Sequence, residues 1–186
     1  GLGIPAEPLF RSSYVTDAGR KIYYTAGNHD MFFGQWKYFR ERFNTSTYWF
    51  EVQTVSGFKD LYVSVESGSG TLGVDKRRWL EDILKDSQNQ VFRHVIVFTH
   101  THFFRTSNVN EHTSSYAIEE TYDLADLFDR YDVTMVLQGH SHYSDYRVFK
   151  GVEYLRLDAM KDDADEAYYT VLKVGEGINF EFIKVN

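Results

Sequence analysis

The sequence contains no cysteine. Disulfides, thiolate metal sites and a cysteine nucleophile are therefore excluded. The compartment stays open, because cysteine-free chains occur both inside and outside cells. Proline is scarce, with two in 186 residues, which argues against a linker-rich, disordered chain. No stretch approaches the ~20 apolar residues of a membrane span. Positive charge is in deficit: 20 Lys and Arg against 27 Asp and Glu give a net charge of −7. Neither a nucleic-acid backbone nor an anionic membrane is then an expected partner. An acidic protein still binds phosphate where metal ions supply the positive charge.

What is abundant is aromatic side chain: 14 Tyr, 15 Phe and 3 Trp make 17% of the chain. Such rings fill cores and also line pockets and interfaces. The length suits one domain, and 42% hydrophobic with 25% charged residues reads as a globular protein.

The pattern along the chain predicts alternating strands and helices in the middle and strands alone at the end. Lys21 to Ala26 is aromatic and β-branched and predicts a short strand, closed by the polar loop Gly27-Asn28-His29-Asp30. Phe32, Trp36, Phe39 and Phe43 have helical spacing. Thr47 to Val55 and Phe58 to Val65 flank Ser56-Gly57 as a hairpin. Asp75 is placed to cap a helix running to about Gln88. Val91 to Phe98 contains a continuous apolar run, as in a buried strand, and Thr99-His100-Thr101-His102 follows it. A long polar loop covers Thr101 to Ser115, and a helix covers Ile118 to Tyr131. Val133 to Leu137 is another apolar strand, ending in Gln138-Gly139-His140-Ser141-His142. Four strands are expected after that: Tyr146 to Phe149, Val152 to Leu157, Tyr168 to Val174 and Ile178 to Val185. The acidic run Asp162, Asp163, Asp165 and Glu166 reads as a solvated loop. The fold class is α/β, with polar loops at the C-terminal ends of strands, where such sheets place their sites.

Three segments share one design, an apolar strand followed at once by imidazole or amide groups: Asn28 with His29, His100 with His102, and His140 with His142. Neutral imidazole is a common metal ligand, and an amide oxygen can complete a shell. If the strands are neighbours, the loops converge. His100 is the better ligand candidate because it ends the apolar run directly. His102, two residues on, would line a substrate pocket, or replace His100 if the loop register differs. Arg105 and His112 are candidate substrate contacts in the long loop, against the default of exposed, solvated side chains. His94 begins its strand at the opposite end and reads as structural.

In this order, Gly27-Asn28-His29-Asp30, a histidine after an apolar strand, and Gly139-His140-Ser141-His142 resemble the calcineurin-like metallophosphoesterases, with the acid-phosphatase-like branch closest. Trp79 to Leu84 and Glu66 to Gly70 also look like that family. The resemblance covers about Lys21 to the C-terminus. It implies a layered αββα sandwich, a phosphate-ester substrate and two divalent metal ions of Mn, Fe, Zn or Mg type. It further implies that Asn28, His100 and His140 hold one metal and His142 belongs to the other. His29 would protonate the leaving oxygen, with Asp30 orienting its ring.

The family pattern opens with Asp-x-His and Gly-Asp motifs, and neither occurs before Gly27. The expectation is one domain over residues 1–186 that lacks its first strands and the bridging carboxylate. One metal or none is then expected here, since close cations need an anion between them. Hydrolysis by this chain alone should be weak or absent, and open sheet edges should promote self-association. The alternatives are a non-catalytic interaction domain with a degenerate site, and a split enzyme completed by a partner chain.

Overall fold

The computed structural model describes residues 21–105, 115–159 and 166–185. His112 and the acidic residues Asp162, Asp163 and Asp165 lie outside them. Among the described residues eight strands and three α-helices form in the expected order. The strands are β1 (Tyr48–Gln53), β2 (Lys59–Ser64), β3 (His94–Phe98), β4 (Met135–Gln138), β5 (Asp145–Phe149), β6 (Val152–Arg156), β7 (Tyr168–Val174) and β8 (Ile178–Lys184). The helices are α1 (Gln35–Phe43), α2 (Gly73–Ser87) and α3 (Ile118–Arg130).

The first six strands make one mixed sheet in the order β1-β2-β3-β4-β6-β5. Its centre is parallel, with Val97 opposite Val63 on one side and Val136 on the other. These strands read as unbroken apolar runs because both faces are covered. One face packs on α2 and α3 through Leu61, Val63, Val95, Val97 and Val136 against Leu80, Leu84, Leu124, Leu127 and Phe128. The other face presents Ile96, Met135, Leu137 and Leu155 to Leu172, Val174, Ile178, Phe180 and Phe182 of the antiparallel β7–β8 pair. The mixed α/β layering expected from the sequence is therefore present as helices, sheet and second sheet. Among the described residues no helix is long and apolar enough to cross a membrane.

Four local expectations need correction. Lys21 to Ala26 joins no sheet among the described residues. Side chains fasten it instead: Ser46 Oγ accepts from Ala26 N at 2.7 Å, and Tyr48 OH donates to Tyr24 O at 3.0 Å. The helix expected from Phe32 begins as a 3₁₀ turn, Phe32–Gly34, and breaks at Phe33 (φ 52°) and Gly34 (φ 78°) before α1 starts. Asp75 does not cap α2, because the helix starts two residues earlier, at Gly73. It lies in the first turn, where a carboxylate complements the helix dipole. Glu120 of α3 reaches the residue before the helix, its Oε1 accepting from Leu72 N at 2.9 Å. The strand expected from Val91 starts only at His94. There the imidazole Nε2 meets Gly175 O at 3.0 Å, tying β3 to the β7–β8 turn.

Phe128 is fully buried and packs 5.7 Å from the ring of Phe103, on the loop that follows β3. Phe128→Ala should destabilise the protein by about 3–5 kcal/mol through cavity formation. Phe33, 99% exposed in a left-handed backbone, should behave oppositely. Phe33→Gly is expected to be neutral or stabilising by ~1 kcal/mol. Urea denaturation of the three proteins checks both signs.

Candidate metal centre

The parallel register of β3 and β4 brings their C-terminal ends level, and the two histidine loops emerge side by side. Their backbones are tied where they leave the sheet: Thr99 N donates to Leu137 O at 2.9 Å and Gly139 N to His100 O at 3.0 Å. A third loop, from β2 into α2, supports the first from below. Ser67 is fully buried, and its Oγ accepts from His100 N at 2.9 Å and Thr101 N at 3.0 Å.

The Gly-Asn-His-Asp loop closes over this platform. Asp30 Oδ2 accepts from Gly27 N at 2.8 Å, so the carboxylate holds the turn together. The expected contact is with the His29 ring; the hydrogen bond found for Asp30 is with the backbone. Glycine is required at two points. A Cβ on Gly27 would lie 2.8 Å from His100 Cε1, and one on Gly68 would lie 2.7 Å from Gly27 O. The Gly68 loop therefore meets the Gly27 loop backbone to backbone, the His100 ring packs on Gly27, and Asn28 is carried to within reach of His100.

At the junction His100 Nε2 stands 2.8 Å from Asn28 Oδ1 and 3.0 Å from His140 Nδ1. Burial, then the neighbouring imidazoles of His140, His142, His29 and His102, pushes the His100 pKa down to about 4. Burial first, then His142 and His29, also lowers that of His140. Both rings are neutral at pH 7. His100 Nε2 faces an amide oxygen and a second imidazole nitrogen, with donor and acceptor between the two rings set by their tautomers. A divalent cation would meet all three. In a tetrahedral shell with ~2.0–2.1 Å bonds, adjacent nitrogens stand ~3.3 Å apart, a few tenths of an ångström from the spacing found. The donor set of two imidazoles and an amide oxygen suits ions of Zn, Mn or Fe type. The residues fit such a group. Among the described residues no group of three His, Asp or Glu side chains gathers here, so the amide of Asn28 is essential to the set.

The other candidates are distributed around this junction. His142 is exposed and lines the same cleft of about 330 Å³ as His100 and His140. His29 is exposed, its ring edge-on to Phe32 at 5.9 Å. His102 does not line the cleft: it is fully buried, its ring 5.9 Å from that of His140. Arg105 is exposed, donates to Ser115 Oγ at 3.1 Å and lines a different cleft, beside α3.

Two residues escaped the sequence reading. Asp158 lines the histidine cleft just past β6, and the strand-end rule that found the histidines would have found it too. Arg156 is fully buried beneath the His140 loop, and nothing in a strand sequence announces a buried guanidinium.

Backbone strain concentrates in the same loop. His140 (φ 74°) and His142 (φ 58°) are both left-handed without being glycine. Each such residue costs roughly 1–2 kcal/mol, which persists only where the surroundings over-determine the conformation. The packing at Gly68 gives a direct test. Gly68→Ala should push the Asn28 loop off its platform at a cost of about 1–3 kcal/mol. Zinc binding measured by calorimetry should weaken, while Gly57→Ala, whose added Cβ meets open space in the β1–β2 turn, should leave zinc binding unchanged.

Comparison with known proteins bears on the fold and the family. Three solved structures share the fold. GAP50, the anchor in the inner membrane complex of Plasmodium, is 12% identical with a TM-score of 0.54, over 76% of this chain and 52% of its own. A dimetal phosphatase from Danio rerio is 12% identical with a TM-score of 0.52, over 87% and 71%. A putative 5'-nucleotidase from Staphylococcus aureus in complex with alpha-ketoglutarate is 13% identical with a TM-score of 0.56, over 90% and 38%. The chain thus spans about half the length of the first of these. No curated protein matches it. Residues 6–144, which contain all three histidine-bearing segments, match the family model described as calcineurin-like phosphoesterase, and the chain belongs to that family.

Proposed function

We propose that this chain carries the imidazole and amide side of a metal-dependent phosphoesterase site, and that the reaction it serves is hydrolysis of a small-molecule phosphate ester. The observation that carries this reading is the meeting of His100 Nε2 with Asn28 Oδ1 and His140 Nδ1, from segments 72 and 40 residues away in the chain. Asn28, His100 and His140 would hold one divalent ion. Bound there, the ion supplies Lewis-acid polarisation of a phosphoryl oxygen and activation of water.

The chain's own residues do the rest. His142, on the rim of the cleft, is the remaining ligand for a second ion. His29 is exposed and holds the proton that the leaving oxygen takes; imidazole suits this near neutral pH. Asp30 acts through the turn, its carboxylate accepting from Gly27 N and so holding the loop that carries Asn28 and His29. His102 supports His140 from behind.

One ion per chain and weak turnover follow from the donor set. Titrating Mn²⁺ or Zn²⁺ into the metal-free protein should give a single tight site, lost in His100→Ala. Inorganic phosphate should bind only to the loaded protein, and His29→Ala should weaken it about tenfold. Failure to bind either ion would sink the reading. Two tight ions with vigorous turnover of p-nitrophenyl phosphate would overturn the single-ion stoichiometry. The outer strands β1 and β5 end the six-stranded sheet with apolar Val52 and Val148 exposed on them. Such edges template pairing with a second copy, and light scattering should show mass rising with protein concentration.

A further inference from the structure

Among the described residues Arg156 is one of the largest fully buried side chains, and it lies where the two histidine loops meet. It ends β6, next to β4 in the sheet and opposite Gln138, the residue before the Gly-His-Ser-His turn. Its guanidinium reaches both loops. One terminal nitrogen, Nη1, donates to Ser141 Oγ at 3.1 Å and to the Tyr143 hydroxyl. The other, Nη2, donates to the carbonyl of Phe104, on the loop that carries His100 and His102. The guanidinium carbon lies 4.7 Å from the centre of the Tyr143 ring, and Asp145 Oδ2 stands 3.7 Å from Nη2. The carboxylate and the ring face answer a charge that burial would otherwise make costly.

The contacts bracket the strained residues. Ser141 sits between His140 and His142, and Tyr143 follows immediately. Both histidines have left-handed backbones that a loop without support would relax. A planar fork with fixed donor directions can hold one loop against another; a lysine, a flexible point charge, cannot do so in the same way.

We propose that Arg156 is a positioning residue, a buried clamp between the His100 loop and the His140 loop that sets the orientation of the His140 and His142 imidazoles. The role rests on the proposed metal site for its consequence, but its geometry is independent of any bound ion. Outer groups that orient metal ligands are typically worth about 10- to 100-fold in metal affinity.

The test uses Arg156→Lys, Arg156→Met and the double variant Ser141→Ala/Tyr143→Phe, which loosens the clamp from its exposed side and leaves the arginine in the core. Histidine ring resonances are recorded in the metal-free protein, where His94, tied to Gly175, is the internal control. The clamp predicts shifted or broadened His140 and His142 signals in Arg156→Met and in the double variant, with His94 unmoved. It predicts incomplete restoration in Arg156→Lys. Zn²⁺ affinity should then fall about 10- to 100-fold in Arg156→Met, and by less in the double variant. Unmoved His140 and His142 signals in a folded double variant would overturn the proposal. So would His94 moving together with them, which marks a general loss of packing. Wild-type protein that binds no Zn²⁺ defeats the metal reading alone, because the ring resonances still decide the clamp.

Discussion

The parallel pairing of β3 with β4 is the constraint on which the rest of the structure depends. Parallel strands cannot be joined by a tight turn, so α3 must cross over between them. That crossover lays an apolar helix face on the sheet and returns the chain in the same direction. Two strand ends then finish at one level, and each releases a histidine. Had the strands run antiparallel, His100 and His140 would sit at opposite ends of the sheet. The bond from Gly139 N to His100 O is the visible mark of this alignment.

Around that pair the structure trades packing freedom for position. Glycine at 68 lets two backbones meet and glycine at 27 admits the His100 ring, which brings Asn28 to His100. Buried Ser67 satisfies two amides of the His100 loop that would otherwise face each other unpaired. Left-handed backbone at His140 and His142 turns two imidazoles toward the cleft, at a strain that the packing beneath has to hold. Burial keeps the His100 and His140 rings neutral, so their electron pairs stay available to a cation at physiological pH. Each device acts on a different term, and all of them bear on the same few cubic ångströms.

Much of this was legible in the residues. The apolar runs before His100 and Gly139 mark buried strands because only strands covered on both faces can dispense with alternation. Glycine, asparagine and histidine at strand ends mark a site because polar side chains gather where an α/β sheet opens to solvent. The α2 face of Leu80 and Leu84 and the α3 face of Leu124, Leu127 and Phe128 follow from helical spacing. Lys21 to Ala26 misled for a physical reason: aromatic and β-branched residues report a pleated, half-buried surface, and among the described residues this segment has one without joining a sheet. It rests on Ser46 and Tyr48, through side chains that no local pattern reveals.

By itself the sequence determined the order of strands and helices, the faces that turn inward, and the residue types able to hold a cation. Those depend on local periodicity and on side-chain chemistry, which neighbours in the chain can express. Only the tertiary structure decided which imidazole joins Asn28. His100 and His102 are two residues apart and chemically alike, and the choice fell to the register of β3 on β4 and to the platform at Ser67. It also decided that Asp30 closes a backbone turn and that Arg156 is buried between two loops. Asn28 and His100 are 72 positions apart, Arg156 and Phe104 are 52, and the Asp30 contact links side chain to backbone. No spacing rule along one chain can encode them, because they exist only once the sheet has closed.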